Sequence, residues 1–168
     1  MAPLASTDYR ASVAEVRASL EAAAPLAEEY GVQIGVQPHH GRYVTSTLGV
    51  LDLLDGLPEA FRLVWDAGHD ALAGDDHAVT LRLAAPRLGL VNLKNAVYRR
   101  LDDGGGWRHW WVGGGDGLSD WGTALATLPQ IHYRGAVCLC AEYSGPLDVT
   151  GQIAADLALA RRLWARTG

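Results

Sequence analysis

The chain has 168 residues, 49% of them hydrophobic, with a formal net charge of -5 and a pI of about 5.6. That length supports one sizeable core and a single domain over residues 1–168. Lys and Arg are scattered without a basic stripe, which argues against a nucleic-acid partner, and no apolar run approaches the ~20 residues of a membrane span.

The opening Met-Ala-Pro-Leu-Ala-Ser-Thr-Asp lacks the basic start and apolar segment of a secretory signal. Asp8–Tyr30 then reads as a helix. Ser6 or Thr7 caps it, Val13, Val16, Leu20, Ala23, Ala27 and Tyr30 share a face, and Gly31 ends it. Pro25 inside that span is expected to kink the helix or split it in two. Val32–Gln37 reads as a strand running into Gln37-Pro38-His39-His40-Gly41. Ser46 or Thr47 opens a helix through Leu48, Val50, Leu51 and Leu54, stopped by Gly56 and Pro58.

Phe61–Asp66 is a buried strand that stops at a carboxylate, with Gly68 and His69 following at once. Asp75 or Asp76 caps a helix running to about Leu88, with Pro86 near its end. Leu88–Leu93 is the next strand, tipped by Asn92, Lys94 and Asn95. Asp102–Gly106 is a turn signal, and Trp107, Trp110 and Trp111 read as the packing of a hairpin. Gly113–Gly117 is a turn whose backbone amides offer a phosphate cradle as the alternative role. Ser119 caps a helix ending near Pro129, Gly135–Glu142 is the last strand, and Thr150 caps a closing helix. Cys138 and Cys140, at i and i+2 on that strand, point the same way and bridge each other poorly, in keeping with a reducing cytoplasm.

Strands alternating with helices imply a parallel sheet, whose ligand sites lie at the carboxyl ends of the strands. Gln37, Asp66, Asn92 and Glu142 all fall there, each from a different strand. Asp66 and Glu142 read as pocket carboxylates, the alternative being a helix cap or a salt bridge at a strand end. His40, His77, His109 and His132 read as surface, loop or helix residues.

These residues carry a resemblance to the xylose isomerase-like barrel family of sugar phosphate isomerases and epimerases. Gln37-Pro38-His39 stands at the family's Glu-x-His and Asp66-Ala67-Gly68-His69 at its Asp-x-x-His. Asn92-Leu93-Lys94-Asn95 stands at its His-x-Lys-Asp, and Glu142 at its final Glu. The resemblance implies an α/β fold, a partial (β/α)8 TIM barrel with about five parallel strands (barrel strands 4–8) and flanking helices. A full barrel takes eight strands and roughly 250 residues. The first three strands are accordingly expected to be missing, which would leave open edges for a homo-oligomer to cover.

The same resemblance implies a divalent metal (Mn, Mg or Co) held by Gln37, Asp66, Asn92 and Glu142, weakened because amides stand at Gln37 and Asn92. It implies Glu142, His69 and Lys94 as catalytic residues, with His39, Gln37, Asn92 and Arg99 binding a small sugar or polyol. The chemistry would be proton transfer next to a carbonyl. Gln37 does not titrate, so a two-carboxylate epimerase is disfavoured against a one-base isomerase or lyase. Lys94 is a candidate to replace the missing cation with its own charge. The alternatives are a non-catalytic relative that binds a sugar or a partner, and an inactive truncated fragment.

Overall fold

The computed structural model describes residues 8–146 and 148–167. Among these the chain forms, in order, α1 (Tyr9–Tyr30), β1 (Ile34–Val36), α2 (Thr47–Leu54), β2 (Phe61–Asp66), α3 (Ala67–Ala73) and α4 (His77–Ala84). There follow β3 (Leu88–Leu93), β4 (Asn95–Arg100), β5 (Trp107–Val112), α5 (Trp121–Gln130), β6 (Val137–Leu139) and α6 (Val149–Trp164). The order β1-β2-β3-β6 makes a parallel sheet of four strands, while β4 and β5 pair as a separate antiparallel ribbon. The fold is thus α/β with flanking helices, a partial barrel. It has four parallel strands rather than about five, and the tryptophan segment pairs with Asn95–Arg100 outside that sheet.

Strand alternation decides which residues face the helices. In β2, Phe61, Leu63 and Trp65 are fully buried against Val50 and Leu54 of α2, Leu81 of α4, and Leu125 and Leu128 of α5. Arg62 and Val64 take the opposite, half-buried face, and Asp66 continues that face at the strand's end because side chains alternate with period two. The register pairs Val64 with Leu90 and Asp66 with Asn92, so the polar tips of neighbouring strands share one side. Gly35 of β1 lies so close to this layer that an added Cβ would sit 2.6 Å from Val64 Cγ2.

Several element ends differ from the sequence reading. Ser6 and Thr7 lie outside the described residues; Asp8 caps α1, its carboxylate accepting from Ala11 N–H at 3.0 Å. Pro25 does not split α1, because the residue is exposed and water can satisfy the carbonyl one turn before it. Ser46 caps α2 as expected, whereas Asp120 caps α5 and Asp148 caps α6, each one or two residues from the expected Ser119 and Thr150. α4 ends at Ala84 and passes through a 3-10 turn, Ala85–Arg87, where Pro86 falls. β6 stops at Leu139, so Glu142 stands beyond the strand and not on it.

His77, read as an ordinary helix residue, is buried. Its Nδ1 lies 2.9 Å from Asp70 Oδ2 and its Nε2 2.9 Å from Ser119 Oγ. Asp70 also accepts from Thr47 Oγ1 at 2.7 Å and Thr80 Oγ1 at 2.8 Å. This saturated network ties α2, α3, α4 and the approach to α5 together, and Asp70 Oδ2 and Oδ1 are its common acceptors. Asp70→Ala strands several buried donors at once. It is expected to lower unfolding free energy by about 3 kcal/mol or more, against a near-neutral Glu59→Ala on the surface, measured by urea denaturation of both variants.

Candidate functional site

Four strand ends converge on one buried ammonium. Lys94 follows β3 directly and keeps the side of Asn92, two residues earlier; it is 4% exposed. Its Nζ donates to Glu142 Oε2 at 3.0 Å, faces His69 Nε2 at 3.1 Å and forms an ion pair with Asp66 Oδ2 at 3.6 Å. It also lies 4.1 Å from the ring centroid of Trp111, which β5 brings over the mouth.

Asp66 performs two tasks. Oδ1 caps α3, accepting from the N–H groups of Gly68 and His69 at 3.0 Å each. Oδ2 accepts from Gln37 Nε2 at 2.8 Å. Burial pushes its carboxyl above the ordinary 3.8, opposed by Lys94 and the two backbone donors. Asp66 thus caps α3 with one oxygen and takes the Gln37 amide and the Lys94 ion pair with the other. Gln37, just past β1, in turn accepts from Asn92 Nδ2 at 3.4 Å. The amides form a chain, Asn92 to Gln37 to Asp66.

α3, a short helix for which the sequence analysis gives no element, turns His69 into the site. His69 is fully buried, and burial pushes its pKa down to about 2, with Lys94 and then His39, His40 and His109 adding repulsion. The hydrogen bonds give a further reason. His40 N–H donates to His69 Nδ1 at 3.0 Å while Lys94 faces Nε2, so two donors compete for the one lone pair of a neutral ring. A protonated ring would have none.

His39 packs against His69 with 4.3 Å between ring centroids. His40 is not a surface residue: it is half-buried, its amide holds His69, and its ring meets His109 at 4.8 Å. His109 in turn lies 5.0 Å from Trp111, so it too belongs to the mouth. Arg99 does not join the cluster. It sits exposed on the ribbon with its guanidinium 5.3 Å from the Trp110 ring, because β4 turns it outward after Lys94 and Asn95. The glycine turn is no open anion cradle either: Gly114 N–H donates to Asp156 Oδ1 at 2.8 Å, a buried carboxylate also held by Tyr143 and Gln152.

The sequence profile of the family described as xylose isomerase-like TIM barrel matches residues 2–163. The chain belongs to this family. Its fold is shared with the protein IOLI, solved with a bound zinc atom (TM-score 0.76, 17% identity, covering 100% of this chain and 62% of that one). It is also shared with the 3-keto-D-glucoside 4-epimerase YcjR of E. coli (0.73, 17%, 96% and 58%). A third is the D-psicose 3-epimerase of Clostridium cellulolyticum H10, solved with D-tagatose (0.64, 18%, 94% and 56%). The chain thus spans about three fifths of these structures. No curated protein matches the sequence significantly. No helix among the described residues is long and apolar enough to cross a membrane.

A divalent cation does not fit the residues present. The four expected ligands, Gln37, Asp66, Asn92 and Glu142, include two amides; Gln37 points its N–H group at Oδ2 of Asp66 and Asn92 points its own at Oε1 of Gln37. Among the described residues no three His, Cys, Asp or Glu side chains are placed to hold a metal ion. The space between the two carboxylates is occupied by Lys94.

The depressed His69 pKa sets a pH dependence. The unfolded ring titrates near 6.5 and the folded ring near 2, so below pH 6.5 the unfolded chain binds more protons than the native one. The stability His69 contributes is complete above that pH and drains away as pH falls below it. His40 and His109, also lowered, act in the same direction. Between pH 7 and about 5 the melting temperature is expected to fall, and His69→Asn to flatten that slope, as followed by circular dichroism.

Proposed function

We propose that this mouth binds a small, unphosphorylated sugar or polyol bearing a carbonyl, and moves a proton next to that carbonyl with Glu142 as the single base. The observation that carries the reading is the Glu142–Lys94 pair. A half-exposed carboxylate, able to reach a ligand, stands 3.0 Å from a buried ammonium able to receive the charge that develops on the carbonyl oxygen. Gln37 and Asn92 offer amide groups to hydroxyls, and the His39 and Trp111 rings form apolar walls for a sugar face. His69, neutral through the physiological range, stands against the Lys94 ammonium without adding a competing charge.

The donor set narrows both substrate and stereochemistry. The cation at the mouth is already paired with carboxylates, and the glycine-turn amide at Gly114 is satisfied by Asp156, so nothing there is arranged for a phosphate. With Glu142 as the single base, the proton leaves and returns on one face of an enediolate. This favours aldose–ketose isomerisation over epimerisation with inversion, which takes a second base on the opposite face. The sugar-epimerase neighbours support the carbohydrate class of ligand.

A second reading, sugar binding without turnover, is favoured by the Gln37–Asp66 hydrogen bond, which puts an amide where a second base would act. Unphosphorylated ketopentoses and ketohexoses in D2O separate the two. The leading reading expects hydrogen–deuterium exchange next to the carbonyl, slowed by about 10²-fold or more in Glu142→Gln with ligand affinity nearly unchanged. Saturation-transfer NMR showing binding without exchange in the wild type establishes the second reading instead.

A further inference from the structure

We propose that the Lys94 ammonium is the resident cation of this site, so that the protein needs no divalent metal there and excludes one. The inference concerns the same mouth as the proposed sugar site and rests on that reading only for its catalytic consequence. Its test reads metal affinity and not turnover.

The sequence makes Lys94 singular: it is the one lysine in 168 residues, beside thirteen arginines. Every other basic side chain is a guanidinium, a broad planar fork, whereas this position carries a compact point charge on a slender stem. An ammonium is the side-chain group closest in shape to a bound cation. Lys94 places it between Glu142 Oε2 at 3.0 Å and Asp66 Oδ2 at 3.6 Å, with His69 Nε2 at 3.1 Å and the Trp111 face at 4.1 Å. Carboxylate, carboxylate, imidazole and aromatic face enclose it as they would an ion.

The surroundings are built for that single charge. Two carboxylates and one ammonium leave the cluster with one net negative charge; a dication added beside Lys94 would reverse its sign and set two cations against each other in a buried place. The amides complete the argument. Asp66 has neither oxygen free, since Oδ1 takes two backbone N–H groups and Oδ2 takes Gln37 Nε2. Gln37 Oε1, the oxygen a metal would use, is turned toward Asn92 Nδ2. Glutamine and asparagine are what a site wants when it must donate hydrogen bonds to its carboxylates instead of gathering lone pairs for an ion. Lys94 therefore does two jobs. It offsets one of the two carboxylate charges, and it presents N–H donors to a ligand oxygen.

Calorimetric titration with Mn2+ tests this on the full chain. The wild type is expected to show no binding into the millimolar range. The triple variant Gln37→Glu/Asn92→His/Lys94→Met, which removes the ammonium and restores lone-pair donors, is expected to bind at least roughly 100-fold more tightly. If the triple variant does not fold, Lys94→Met alone decides: Mn2+ should raise its melting temperature while leaving the wild type unchanged. Micromolar binding by the wild type, lost in Asp66→Asn, overturns the proposal. So does a folded triple variant, or a Lys94→Met variant, that responds to Mn2+ no more than the wild type. None of these outcomes depends on sugar chemistry, so a failure here and a failure of the isomerase reading are distinguishable.

Discussion

Burying a charged amine is costly unless its surroundings return what water gave it, and the polar end of this sheet is arranged around meeting that cost for Lys94. Asp66 and Glu142 supply opposite charge, Trp111 a ring face, and His69 a neutral ring kept from protonating. Each comes from a different element, so the ammonium also locks β2, β3, α3, β5 and the segment after β6 into one arrangement. Parallel strands make this economical: all of them end at the same rim, and side chains two residues apart keep the same face. Asn92 and Lys94 are such a pair.

The rim in turn stands on rigid supports. Asp66 is held by the helix it caps, so the carboxylate facing Lys94 has little freedom to rotate. Directly after His69, Asp70 anchors α3 to α2 and α4 through Thr47, Thr80 and His77. His69, which faces Lys94, and Asp70, which holds the frame, thus stand side by side on one short helix. This is the usual requirement of a site that must be preorganised. On the other side, the buried Asp156 fixes the glycine turn to α6, which fills with an internal carboxylate the place an external anion would have taken.

Much of this was legible in the sequence. The buried run Phe61–Trp65 ending in Asp66, the polar tips of the neighbouring strands and the tryptophan hairpin all follow from local pattern, and each is where the pattern put it. What escaped depended on tertiary contacts. α3 is only seven residues long and carries no amphipathic stripe, since five of its residues are buried; the clue was Asp66 followed by Gly68 and His69, a cap with its two amide donors. His40 is half-buried and His77 buried through partners 29 and 42 residues away in sequence, which no local window reveals. Glu142 was expected at the end of a strand Gly135–Glu142, yet pairing ends at Leu139. Arg99, expected to bind the ligand from a loop folded inward, instead lies on β4, exposed beside the Trp110 ring.

The central claim, that an amine holds the space between Asp66 and Glu142, is most directly tested by a crystal structure of the full chain grown or soaked in manganese, with data collected to record its anomalous scattering. The account predicts the Lys94 Nζ in density between the two carboxylates and no anomalous peak within coordination distance of either. An anomalous peak bound by Asp66 and Glu142, with the Lys94 side chain swung out of the mouth, would contradict it.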